Sequence, residues 1–210
     1  MLSEKEEQLN TYTHGLGLLF GLVALPLLLI QAYQNAAMDL FMAILIYSIC
    51  FTLLYLASTL YHGIRNPRLK EILKTVDHIS IYFKIAGTYT PFIIGFLYGQ
   101  EQMVFMMVIW SIVLLGTLFK LRYTGKFEKL SVALYLIMGW LVVFRAPTFY
   151  DRMPMSIILF IILGGLAFTI GVYFYRRDDR RYYHAIWHVF TLAGSILHYI
   201  AVLLIIHSWS

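Results

Sequence analysis

The sequence predicts an all-α integral membrane protein, a bundle of seven transmembrane helices. Of 210 residues, 60% are hydrophobic and only 13% charged, with a mean hydropathy of +0.75. A soluble domain carries about twice that charge fraction, ~25%. The apolar residues gather into seven runs, each about long enough to cross a ~30 Å hydrocarbon core as a helix of ~20 residues. Basic residues collect in every second connection, the asymmetry that sets membrane orientation.

Residues 1–12 mix Ser, Glu, Lys and Gln and lack the basic start and short apolar core of a cleaved signal peptide. They are read as a short cytoplasmic segment before a retained first helix. The apolar runs fall near 13–33, 40–63, 76–98, 102–120, 129–146, 155–175 and 184–206. Residues 13–206 thus form a single transmembrane domain, and 207–210 a tail. The second connection carries Arg65, Arg68, Lys70 and Lys74, the fourth Lys120, Arg122, Lys126 and Lys129, and the sixth Arg176, Arg177, Arg180 and Arg181. The first and third carry no Lys or Arg, and the fifth has only Arg145 and Arg152 near it. Positive charge stays inside, so the N-terminus is expected in the cytoplasm and the C-terminus outside.

Within the first run, Gly15, Gly17 and Gly21 form a small-residue face suited to close helix packing. The single cysteine, Cys50, sits in an apolar run and reads as packing. Aromatic residues near the run ends fit interfacial belts. The formal net charge of +5 is explained by the loops, so no nucleic-acid partner is expected. The last run contains no lysine, which excludes a retinal Schiff base there.

With this topology several polar residues share one membrane level. The second run ends at His62, the third begins at Asp77 and His78, the seventh begins with His184 and His188, and the first has His14 near its start. On a helix, His184 and His188 lie on one face about a turn apart, a spacing that lets both hold one metal ion. With His62 they make a three-imidazole set, the number that leaves a catalytic zinc one open position at which water becomes a nucleophile near neutral pH. His198 lies about 15 Å deeper than His188 and cannot join that set, and His207 lies at the far end. Asp77 would serve as base or orienting group. Ser58, one turn deeper than His62, would orient water or polarise a carbonyl.

Each residue also has a plainer reading. The histidine pair fits an interfacial anchor, Asp77 a cap on the third helix, and Ser58 back-bonding to its own helix. His14 fits a supporting position behind the ligands, while Thr13 fits a cap on the first helix, the reading preferred here. Lys84, ~10 Å beyond Asp77 on a similar face, fits a snorkelling or groove lysine. The stretch from His184 to His188 lacks the Glu of the His-Glu-x-x-His peptidases, which disfavours a zincin.

The chain resembles the hemolysin III family, the bacterial branch of the progestin and adipoQ receptor group, which is related to adiponectin receptors and alkaline ceramidases. The resemblance rests on Asn10 with Thr13-His14-Gly15, on Ser58-x-x-Tyr61-His62, on Asp77-His78 followed by Ile85 to Pro91, and on His184-x-x-Trp187-His188 with His198-Tyr199. It implies seven helices, a cytoplasmic N-terminus and zinc held by His62, His184 and His188, with Asp77 and Ser58 beside it. It also implies a multi-pass protein of the bacterial cytoplasmic membrane. Lys84 departs from the apolar residue expected there, which bears on how lipid-like the inner cavity is.

The leading functional expectation is a zinc-dependent hydrolase of a lipid amide or ester, drawn from membrane lipids and serving lipid homeostasis. A second is a zinc-stabilised sensor of membrane state. A third, a cytolysin forming haemolytic pores, ranks last because the fourth and sixth runs are almost wholly apolar.

Overall fold

The structure is a computed structural model describing residues 3–209. Among these residues every regular element is helical, and seven spans are long and apolar enough to cross a membrane. The first four are α1 (Glu4–Asn35), α2 (Met38–Gly63), α3 (Pro67–Phe96) and α4 (Gly99–Tyr123). The fifth is made of α5 (Glu128–Gly139), a 3₁₀ segment (Leu141–Arg145) and α6 (Ala146–Arg152), and α7 (Met155–Tyr175) and α8 (Tyr183–Trp209) complete the bundle. The all-α, seven-span architecture is the one expected.

Two helices begin well before their apolar runs. At the start of α1, Ser3 and Glu6 form a capping box: the Glu6 carboxylate accepts the Ser3 N–H at 2.9 Å, and the Ser3 hydroxyl accepts the Glu6 N–H. The polar stretch before residue 13 is therefore helical from Glu4, and Thr13 lies mid-helix rather than at a cap. In α3, Pro67 opens the first turn and the Asn66 side chain accepts from the Arg68 and Leu69 N–H groups. Asp77 stands ten residues inside α3, so it is no cap either. Hydropathy located only the membrane-length part of each helix.

The fifth span breaks after Gly139. The Tyr89 hydroxyl of α3 donates to the Gly139 carbonyl at 2.7 Å and accepts the Val142 N–H at 2.9 Å. Trp140 braces the same place by donating from Nε1 to Thr169 Oγ1 on α7 at 3.1 Å. Backbone groups in an apolar medium need partners, and here side chains from neighbouring helices provide them. An unbroken helix was expected over 129–146.

α3 is the most enclosed span, packed along α2, α4 and α5. α1 lies against α2 and α8, and α7 lies along α8. Close approach of α1 to α2 depends on the expected glycine face. A Cβ on Gly17 would come within 2.1 Å of the Tyr55 ring, and one on Gly21 within 3.0 Å of the Phe51 ring. Cys50 is buried against Gly87, where a Cβ would meet its own at 2.5 Å, in keeping with a packing role.

Candidate metal centre

α2 ends at His62 and α8 begins with His184 and His188, so the chain brings all three imidazoles to the end of the bundle that carries the basic connections. Their ring centres form a near-regular triangle, 5.2 Å for His62 and His184, 5.1 Å for His62 and His188, and 4.6 Å for His184 and His188. One ligand nitrogen from each lies within 4.8 Å of the others, so the group can hold a metal ion. His62 and His188 are buried and His184 is partly so.

Hydrogen bonds determine which nitrogen each ring offers. His62 Nδ1 lies 2.7 Å from the Glu7 carboxylate, to which it donates, while His62 Nε2 is buried without a partner. His188 Nδ1 lies 3.1 Å from Thr13 Oγ1. That hydroxyl has one proton, directed to the Leu9 and Asn10 carbonyls at 3.0 Å each, so it accepts from His188. Both rings are therefore left with the Nε2 lone pair as the one free to hold an ion. Donation of the second ring nitrogen to a carboxylate or other acceptor is the usual way a metal-binding histidine is oriented. His184 Nδ1 stands 3.8 Å from Asp178, an ion-pair distance rather than a hydrogen bond. A buried, unpartnered Nε2 within an all-imidazole set fits a borderline-soft divalent ion such as zinc.

Glu7 and Thr13 were not among the expected site residues. Glu7 also pairs with Lys70 at 3.0 Å, which ties the start of α1 to the start of α3. Neighbouring Glu6 accepts the Tyr182 N–H at 3.1 Å, just ahead of α8. The first turn of α1 thus braces both chain segments that present ligands. A signal was available: Glu7, Asn10 and His14 recur at helical spacing on one face.

His14 lies against the site. Its ring centre is 3.9 Å from that of His188, edge to face, and both of its nitrogens are buried without partners. Asp77 and Ser58 lie beside each other on the wall of a cavity that reaches His62, His184 and His188. His78 lines the same cavity. The cavity, of about 360 Å³, continues inward past Lys84 to His198, whose Nε2 donates to the Ile161 carbonyl at 3.2 Å. Lys84 does not snorkel: it is 4% exposed and lies inside the bundle.

Comparison with known proteins identifies the family of the chain. The family described as Haemolysin-III related matches residues 2–199. The chain belongs to that family. The chain is 38% identical over 204 residues to the Hemolysin-3 homolog of Bacillus subtilis (strain 168), covering 97% of this chain and 95% of the relative. Hemolysin-3 of Bacillus cereus is 35% identical over 199 residues, covering 95% and 91% respectively. Monocyte to macrophage differentiation factor of Homo sapiens is 27% identical over 165 residues, 75% of this chain and 67% of the relative. Membership of the haemolysin III family, together with seven apolar spans, makes this a multi-pass membrane protein.

Proposed function

We propose that this member of the haemolysin III family is a zinc-dependent hydrolase of a lipid amide or ester, working at the cytoplasmic side of a bacterial cell membrane. The single observation that carries the reading is the junction of the His62, His184 and His188 triangle with a largely apolar cavity that also holds Asp77 and Ser58. A structural ion needs no such cavity, whereas an acyl substrate does. The three imidazoles would hold zinc, and Glu7 and Thr13 would fix the rings of His62 and His188. When bound, zinc supplies Lewis-acid polarisation of a carbonyl and of water. The Asp77 carboxylate would take a proton from the attacking water and return it to the leaving nitrogen or oxygen. Ser58, beside it, would donate a hydrogen bond that fixes the direction of that carboxylate. Trp187 and Tyr175 line the cavity, the Tyr175 ring 5.8 Å from that of His184, and would limit access of bulk water.

The test is turnover of lipid amides and esters, ceramides among them, by purified protein and by a His188→Ala variant that remains folded. Loss of turnover in the variant supports the reading, and unchanged turnover sinks it. One observation favours a second reading, a zinc-stabilised sensor: the ligands come from α2 and α8, so an ion would tie those helices together. In that case zinc content and thermal stability fall together in His188→Ala, while wild-type protein hydrolyses no lipid.

A further inference from the structure

We propose that Lys84 anchors the carboxylate of a single-chain amphiphile bound in the inner cavity. This site lies deeper than the histidine triangle and does not depend on metal. Lys84 is seven residues beyond Asp77 on α3, two turns and ~10 Å further in. Its ammonium has three N–H donors, and one goes to Thr88 Oγ1 at 2.9 Å. The Thr88 hydroxyl sends its own proton to the Lys84 carbonyl at 2.8 Å, so it stays an acceptor. The rings of Tyr47 and Phe51 are each centred 5.1 Å from Nζ and offer only the weak negative potential of an aromatic face. Cys50 and His198 are the other titratable groups near it, a thiol and an imidazole. Among the described residues no carboxylate forms an ion pair with it.

A lysine held this deep among apolar side chains needs a counter-ion to be comfortable as a cation. The protein does not provide one, and the cavity offers room for one to come from outside. At about 360 Å³ it falls within the ~300–1,000 Å³ typical of small-molecule sites. Ile81, Ile85, Phe92, Leu136 and Phe168 line its apolar wall, which suits a hydrocarbon tail. One cation matches a monoanion. A phosphate monoester would leave a second negative charge uncompensated, so a carboxylate is the fitting group.

The experiment uses full-length protein in liposomes with two photoreactive probes, a C16 fatty acid and the matching C16 alcohol, each carrying a diazirine in its tail. Wild-type protein should be labelled at least about tenfold more by the acid, the range of a charge-assisted hydrogen bond. Lys84→Met should abolish that preference while alcohol labelling persists, and Lys84→Arg should keep part of it. His188→Ala should leave the preference intact, which separates this site from the proposed hydrolase centre. Equal labelling of wild-type protein by acid and alcohol overturns the proposal, and that comparison needs no variant to fold. A preference that survives Lys84→Met but disappears in His188→Ala overturns it as well, by placing the carboxylate at the histidines.

Discussion

His62 and Glu7 are 55 residues apart in the chain, yet Nδ1 of one lies 2.7 Å from the carboxylate of the other, at the junction of α1 and α2. The contact leaves Nε2 of His62, buried without a partner, as the nitrogen free to hold an ion. Glu7→Gln keeps the shape but replaces the charged acceptor with a weaker, neutral one. Zinc affinity should fall about tenfold to hundredfold, the usual effect of losing such a partner. Competition with a chromogenic chelator measures it, and an unchanged affinity would show that Glu7 does not orient the ring.

Thr13 does for His188 what Glu7 does for His62. Thr13→Val removes the acceptor with little change of volume, and zinc affinity should fall by about tenfold or more. Thr13→Ser should retain most of it. If valine and serine behave alike, the hydroxyl plays no part.

Wild-type protein should carry about one zinc ion per chain, and His62→Ala and His188→Ala should carry almost none, as elemental analysis of detergent-purified protein will show. Asp77→Asn should behave in the opposite way, with zinc content unchanged and turnover reduced about 10²-fold or more, the usual range for a lost general base. A variant that loses both together would assign Asp77 to ion binding instead.

Residues separate sharply in how far the chain alone disclosed them. The seven spans were legible because a membrane demands long apolar runs, and the histidines because loop charge put them at one depth. Hydropathy did not disclose Glu7 and Thr13, since helix α1 begins in a polar stretch where it has no contrast, and only the helical spacing of Glu7, Asn10 and His14 pointed to that face. Their roles depend on α1 packing between α2 and α8, a relation across 55 and 175 residues. The break after Gly139 was hidden for a related reason. Its signature is Tyr89, a residue of another helix that reads like any other aromatic in an apolar run.

Gly17→Ala should destabilise the protein by about 1–3 kcal/mol, because the added methyl would overlap the Tyr55 ring. Gly15→Ala is the matched control. Its nearest neighbour would be the Thr59 methyl at 4.0 Å, so the change should be neutral or stabilising by up to about 1 kcal/mol. Thermal unfolding in a single detergent compares them, and equal effects would refute a close approach at Gly17.

Tyr89→Phe should lower stability by about 1–3 kcal/mol, since the Gly139 carbonyl and Val142 N–H would lose their partner in an apolar setting. A thermal midpoint equal to that of wild-type protein would mean that the break completes its hydrogen bonding in another way.

The tyrosine that completes this break precedes it by 50 residues. A helix that closes all its own backbone bonds can enter the bilayer alone, but the fifth span cannot finish its bonding until α3 stands beside it. Synthesis from the N-terminus puts α3 in the membrane first. The order in which the ribosome delivers the spans therefore matches the order in which the bundle needs them, and a chain with its first three spans removed would insert the fifth poorly.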